Sequence, residues 1–377
     1  MALLLLALSG QFIFAGMTAF AMPAHLFFNL LWLRLFIADR RVADVAAVLA
    51  GLVATGLHQP LFHPLFIAPF LLLLLRERCW TRLLLFLAGY AAVAVFWLAW
   101  PQIVQTYTLS AYPGTSATDA AAVTAPTGIA HYLSMLTTTL ARSDGRVIYM
   151  SENLLRFVTW QHVLLLPLLI ASWFVARTDR IAGAIGLSFV LPILVMALIL
   201  PWQGNGFGYR YVHGVLGNAA LLGGYGWQRV AAFWRPHLRV VFRRATAATT
   251  LVLLPLQAWM AHGYYAPSAR ASAKIDASGA DYAIVGTDDY HTASDLVLNR
   301  PDLSNRPIRL LGHKIEDIDG FSRRICRPKV RVALSTEQFL QPVIAHYSPM
   351  TFIEARERMP LIEASLERGG CHVMLLQ

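Results

Sequence analysis

The chain has 377 residues, of which 57% are hydrophobic and only 14% charged, and its mean hydropathy is +0.53. This composition excludes an ordinary soluble enzyme for most of the chain. The formal net charge of +10 arises before residue 262, where 17 arginines outnumber seven acidic residues. Because most of these arginines lie in connectors between apolar runs, they indicate membrane topology and argue against a nucleic acid partner.

Nine apolar runs before residue 262 are candidates for membrane spans, since roughly 20 helical residues cross a bilayer core of about 30 Å. We therefore predict a polytopic α-helical membrane protein whose transmembrane domain covers residues 1–262. The run at 61–75 contains Pro64 and Pro69, which indicate a broken helix. The nine runs lie at 2–15, 17–37, 43–59, 61–75, 83–102, 160–176, 181–200, 211–231 and 245–262.

The first residues do not have the pattern of a signal peptide. Met1 runs directly into apolar residues without a basic region, and the hydrophobicity continues past any plausible cleavage site. We expect the sequence to begin inside a membrane fold, through a truncation or a misassigned start codon.

Most arginines of the membrane part fall in alternate connectors, which the positive-inside rule assigns to the cytoplasm. The segment 203–211, a long outer loop at 103–159 and everything after residue 262 then face the periplasm. The sequence thus predicts a multi-pass protein of the bacterial inner membrane. The outer loop is either a lid over a lipid substrate or a packed surface loop. The cytoplasmic arginines are Arg40, Arg41, Arg76, Arg78, Arg82, Arg177, Arg180, Arg229, Arg235, Arg239, Arg243 and Arg244.

Two histidines, His58 and His63, stand five residues apart across Pro60 at the predicted outer end of two spans. Their imidazoles are candidates for contact with a polar substrate, for metal binding or for simple packing of helix ends. The spacing differs from the i, i+4 of a helical metal pair, and no third ligand is evident. We therefore predict substrate contact or packing, and no cofactor; a divalent metal has no support.

Arg210 opens a late span on the outer side, between Tyr209 and Tyr211 and after a glycine-rich segment. A guanidinium partly out of water is costly unless an anion or a carboxylate partners it. We predict that Arg210 holds a lipid phosphate and that the two tyrosines belong to the same site. The alternative is that Arg210 extends toward lipid headgroups without a specific ligand.

After a linker at 263–279, residues 280–377 alternate short apolar strands with amphipathic helices. This alternation predicts a small periplasmic α/β domain. Cys326 and Cys371 each precede a predicted strand, so parallel neighbouring strands would bring both thiols to one edge of the sheet. An oxidising compartment then favours a disulfide between them, whereas Cys79 is expected to stay free.

Three stretches together resemble the later membrane helices of bacterial GT-C glycosyltransferases, relatives of protein mannosyltransferases and of lipid A aminoarabinose transferases. They are GYRY at 208–211, SGQFIFAGMTAFAMPAHLFFNLLWL at 9–33 and HQPLFHP at 58–64. The resemblance covers roughly residues 1–262. It implies transfer of a sugar from a polyprenyl-phosphate donor to an extracytoplasmic lipid, glycan or protein acceptor. A polyprenyl-phosphate-linked sugar and membrane lipid are the implied partners.

The chain departs from that family in two respects. No acidic pair follows a first span, so the catalytic residues are unknown and activity is expected only with an amino-terminal part. The family's arginine–tyrosine motif commonly continues with prolines, whereas Val212, His213 and Gly214 follow here. A transporter or flippase for lipid-linked saccharides and a non-catalytic membrane assembly protein remain alternative interpretations.

Overall fold

The computed structural model describes residues 1–111 except 19 and 59, residue 137, and residues 145–203, 206–286, 293–345 and 353–377. The chain divides into two compact units, Met1–Gln257 (unit 1) and Ala258–Gln377 (unit 2). Most of the predicted outer loop lies outside the described residues, so the structure does not test the lid interpretation.

Unit 1 is helical. A 3-10 segment at Arg210–Val215 leads into its last long helix, and a π-helical turn at Thr249–Leu253 follows that helix. The next helix, α11 (Leu254–Ala277), begins before the division between the units, so most of the predicted linker is helical. The other helices are α1 (Ala2–Ala7), α2 (Gly10–Gly16), α3 (Met22–Ile37), α4 (Arg41–Leu57), α5 (Phe62–Arg76), α6 (Trp80–Ala111), α7 (Arg146–Thr159), α8 (Leu165–Ala176), α9 (Arg180–Ile199) and α10 (Leu216–Ala248).

The prediction of nine membrane spans is wrong. Among the described residues, only the helices at Trp80–Tyr107 and Arg180–Ile199 are long and apolar enough to cross a membrane. The apolar runs exist, but helix ends divide or shorten them. The Ser9 side chain accepts a hydrogen bond from the Phe12 amide and starts α2, which splits the run at 2–15 into two short helices. Hydropathy therefore predicted where apolar residues lie, but not the length of unbroken helix.

The residues of α10 form two helical arms on either side of a sharp reversal, so α10 is a hairpin and not a straight rod. The rings of Trp227 and Phe242 are 5.6 Å apart, whereas the residues between them would span about 22 Å in a straight helix. The chain therefore reverses between these rings. Pro236 lies in the reversing stretch, where its missing amide hydrogen removes one helical hydrogen bond.

The core of unit 1 is built around a cluster of aromatic rings from α3, α5 and α6. Trp32 is fully buried and stacks on Phe36, with ring centroids 5.1 Å apart. Phe66, Phe70 and Phe86 surround Trp32 at centroid distances of 5.4–5.7 Å. This cluster fixes how the three helices pack and therefore where their ends lie.

The two ends of unit 1 carry different polar residues. Residues 38–40 join α3 to α4, and near this end Arg82 pairs with Asp44 while Arg180 pairs with Glu77. We call this the arginine end. Because α3 and α4 pack against each other, the start of α3 and the end of α4 meet at the opposite end of the pair. Four histidines gather there, and we call it the histidine end.

Unit 2 contains the parallel α/β architecture that the tail pattern predicts. Its four strands form one parallel sheet in the order β2-β1-β3-β4. Alternate residues of β1 and β3 belong to two separate apolar clusters, so both faces of the sheet are covered. The elements are β1 (Tyr282–Val285), β2 (Ile308–Leu311), α12 (Ile318–Ile325), β3 (Arg331–Ser335), α13 (Glu337–Ile344), α14 (Ile353–Arg368) and β4 (His372–Leu376).

The structure joins Cys326 and Cys371 in a disulfide with an S–S distance of 2.07 Å. The two cysteines precede β3 and β4, which are parallel neighbours, so both lie at the same edge of the sheet. Cys79 is a free and exposed thiol.

Candidate functional site

The histidine end brings together four histidines from distant parts of the sequence. His25 lies in the first turn of α3, His58 follows the last residue of α4, and His63 is the second residue of α5. His213 lies in the 3-10 segment that precedes α10. The antiparallel packing of short helices, and not any local motif, therefore assembles the group.

His63 belongs to a closed hydrogen-bond network inside the unit. The Asn29 Nδ2 donates to the Gly214 carbonyl oxygen at 2.8 Å, which directs Oδ1 toward the His63 Nδ1 at 2.7 Å. Since an amide oxygen only accepts, Nδ1 carries the imidazole proton, and Nε2 accepts from the Tyr90 hydroxyl at 2.8 Å. Both nitrogens of His63 are satisfied, so this histidine stabilises the packing of α3, α5 and α6.

The other three histidines have ring nitrogens without protein partners. His25 and His213 are each only 1% exposed, and none of their four ring nitrogens has a hydrogen-bond partner among the described residues. The same holds for the Nε2 of His58, whose ring lies 5.7 Å from that of His25 and stacks on Phe62. Buried polar groups in proteins are nearly always hydrogen-bonded, so this trio is an exception that needs an explanation.

These three histidines lie outside the two helices that are long enough to cross a membrane, and their surroundings keep them neutral. Burial lowers the pKa of His25 to about 3, helped by repulsion from His58 and His213. Burial and the neighbouring Arg210 lower the pKa of His58 to about 4, and burial with His58 lowers that of His213 to about 4. At neutral pH each ring therefore offers one N–H donor and one acceptor nitrogen.

Arg210 lies at the histidine end, where hydrogen bonds fix its backbone. Its amide donates to the Gln203 Oε1 at 2.8 Å, and the Gln203 Nε2 donates to the Gly208 carbonyl oxygen at 3.0 Å. Gly208 has φ +70°, and an added Cβ would come within 2.4 Å of the Gln11 Oε1. The half-buried guanidinium lies 5.7 Å from the Tyr211 ring. Among the residues that the structure describes, no carboxylate forms an ion pair with Arg210.

The two tyrosines beside Arg210 are packing residues. Tyr209 is fully buried and its hydroxyl lies 3.7 Å from the Met150 sulfur. Tyr211 is 6% exposed, its hydroxyl donates to the Trp202 carbonyl oxygen at 3.3 Å, and its ring stacks near Phe62. Their burial on either side of Arg210 fixes the backbone at that position, and Tyr211 also contacts the Arg210 side chain.

The structure thus separates the residues that the sequence grouped. It brings Arg210 and His58 together, but it directs His63 into the internal network. His25 and His213 join the site without having been predicted. The sequence carries only weak signals for them. His25 is an ionisable residue in a largely apolar helix, and His213 stands where the resembling family commonly has proline after the arginine–tyrosine motif.

The arrangement suits an oxyanion better than a metal ion. A guanidinium and neutral imidazole N–H groups are donors that match phosphate oxygens. Metal coordination at about 2.0–2.1 Å needs closely converging nitrogens. Across the described ranges, no group of three His, Cys, Asp or Glu side chains is placed to hold a metal ion.

We expect His25→Met to make unit 1 more resistant to acid. The pKa of His25 is about 3 in the folded protein and 6.5 in the unfolded chain, so only the unfolded state takes up the proton between these values. The free energy of unfolding therefore falls as the pH drops below about 6.5. His25→Met has no imidazole to protonate, so it avoids this loss of stability. Because neither nitrogen has a protein partner, stability at pH 7 should change little.

An acid titration followed by circular dichroism measures the effect. The midpoint of unfolding should move to lower pH in His25→Met and stay unchanged in His237→Met, which removes an exposed imidazole. A midpoint that moved to higher pH would show that the folded protein does not hold His25 in its neutral form.

Comparison with known proteins gives no match, whether with protein-family models, with curated proteins or with solved structures.

Proposed function

We propose that the chain is a membrane glycosyltransferase of the GT-C kind, in which Arg210 binds the phosphate of a polyprenyl-phosphate-linked sugar. One observation carries the proposal. Arg210 is half-buried, has no carboxylate partner among the described residues, and lies near enough to His58 to lower the pKa of that histidine. Such a guanidinium is stabilised by an anion, and lipid-linked sugars carry their phosphate at the membrane surface.

The membrane and periplasmic location are part of the same proposal. The helices at Trp80–Tyr107 and Arg180–Ile199 have the length and hydropathy of membrane anchors. The disulfide between Cys326 and Cys371 suits an oxidising compartment such as the bacterial periplasm. We therefore infer that the protein resides in the inner membrane and that Arg210 meets the carrier phosphate on the periplasmic side.

The proposed reaction is an inverting displacement at the anomeric carbon of the sugar. An acceptor hydroxyl oxygen forms the new bond while the bond from that carbon to the phosphate oxygen breaks. The electron pair remains on the departing phosphate, where the Arg210 guanidinium stabilises the added charge. A general base receives the proton of the acceptor hydroxyl.

We propose that this base comes from outside the described residues. Every described carboxylate of unit 1 is engaged elsewhere, four in ion pairs and one as a helix cap. Asp39 and Asp44 contact Arg82, Glu77 contacts Arg180, Glu152 contacts Arg156, and Asp179 accepts from the Ala182 amide.

We expect Arg210→Gln to lower the rate of sugar transfer by at least about tenfold, because a hydrogen bond to a charged group contributes about 1.5–3 kcal/mol. Glutamine keeps a polar side chain and leaves the backbone contact with Gln203 intact, so the fold should be retained. The assay is the transfer of labelled sugar from a polyprenyl-phosphate donor in membranes containing the protein together with any amino-terminal extension.

Arg41→Gln is the matched control, since it removes an exposed arginine from the start of α4, at the arginine end, without touching the histidine end. Wild-type rates in both variants would overturn the role of Arg210. Binding of the carrier without any transfer by the unmodified protein would favour the transporter alternative over the glycosyltransferase.

A further inference from the structure

The hairpin in α10 carries a concentration of positive charge without compensating acid. Five arginines fall between residues 229 and 244, and the sequence from Arg180 to Lys274 contains neither aspartate nor glutamate. We call residues 229–244 the basic tip, because it contains the point where the chain reverses between Trp227 and Phe242.

Four arginines of the basic tip face solvent. Arg229, Arg239, Arg243 and Arg244 are all exposed. Within the described part of the chain, none of them pairs with a carboxylate. Four free guanidinium groups on one short hairpin repel each other, so the tip is better suited to a polyanion than to a single counter-ion.

Exposed apolar side chains are interspersed with these arginines. Phe233 is 68% exposed and lies under the Arg229 guanidinium, 4.5 Å from it. Val240 and Val241 are 49% and 40% exposed. Nucleic acid binds cationic surfaces through phosphate and base contacts and gains little from exposed valines. A bilayer surface, in contrast, offers anionic headgroups above an apolar layer.

We infer that the basic tip binds the surface of an anionic lipid bilayer, with its arginines on the headgroup phosphates and Phe233, Val240 and Val241 at the boundary of the acyl chains. This interaction does not depend on Arg210 or on sugar transfer. Each arginine close to an anionic surface strengthens the attraction, and salt weakens the attraction by screening.

The test uses the full chain with Cys79→Ser and with an environment-sensitive dye on Ala232→Cys, an exposed position next to Phe233. The protein is reconstituted into bilayers of phosphatidylcholine alone or of phosphatidylcholine with phosphatidylglycerol. Acrylamide, a neutral quencher, reports the exposure of the dye to water. We expect quenching to fall roughly threefold in the anionic bilayer and to recover at high salt.

Two triple variants separate a local effect from net charge. Arg239→Gln, Arg243→Gln and Arg244→Gln together should restore the quenching seen in phosphatidylcholine. Removing the same charge from exposed arginines of unit 2, Arg300, Arg323 and Arg324, should leave the protection intact. Equal quenching in both bilayers, or protection that appears only when RNA or an acidic protein is added, would overturn the inference.

Discussion

Replacing Arg82 by leucine should destabilise unit 1 by about 3–5 kcal/mol, because it leaves a buried carboxylate without its partner. Asp44 is only 3% exposed, and the Arg82 Nε and Nη2 donate to its two oxygens at 2.7–3.0 Å. The guanidinium also lies 4.4 Å from the Phe36 ring and donates to the Phe36 carbonyl oxygen. For a unit of this size the loss corresponds to a fall of roughly 10 °C in Tm.

Thermal unfolding of the purified chain measures the effect, and a second ion pair supplies the control. Arg180 and Glu77 are 2.6 Å apart, but the Arg180 side chain is 71% exposed, so Arg180→Leu should cost less than about 1 kcal/mol. The double variant Arg82→Leu with Asp44→Leu should recover much of the stability, since it removes both charges. If Arg82→Leu and Arg180→Leu lowered Tm equally, the burial of Asp44 would not contribute to the stability that its ion pair provides.

The outcome at the histidine end shows which features a sequence can reveal. Arg210 is conspicuous in the sequence because it is an isolated cation among tyrosines beside an apolar run, and such a cation needs a partner wherever the helix lies. His58 and His63 were grouped because they are close in sequence. Their side chains separate because His58 stacks on Phe62 while His63 bonds Asn29 inside the unit. Side-chain direction at a helix start is set by tertiary contacts, which spacing does not encode.

The difference between local sequence patterns and tertiary contacts also explains which parts of the fold were predicted. The pattern of unit 2 is local, since each short apolar strand and each amphipathic helix is readable within a few residues, and their alternation indicates an α/β domain; the parallel pairing is seen only in the structure. In unit 1 hydropathy marks apolar runs but does not show where a side chain such as Ser9 ends one helix and begins another. His25 and His213 meet only because α3 and the 3-10 segment pack together, and no local signal joins them.

Gly226→Ala should be at least as damaging as the loss of Arg82, because the backbone of α8 occupies the space that a side chain would need. A Cβ at position 226 would lie 2.0 Å from the Leu168 carbonyl oxygen and 2.8 Å from its carbon. Alanine is favoured over glycine inside helices by about 0.8–1.0 kcal/mol, but relieving this overlap requires α8 and α10 to separate. We expect a net loss of more than about 3 kcal/mol and a corresponding fall in Tm.

Gly186→Ala is the matched control within the same unit and should change stability in the opposite direction. Gly186 lies inside α9, where an added Cβ would meet the Ala176 Cβ at 3.9 Å and the Leu222 Cδ2 at 4.0 Å, both ordinary contacts. The gain in helix propensity then dominates, and Tm should rise slightly. If both alanine variants raised Tm, the close approach of the α8 backbone to α10 at Gly226 would be refuted.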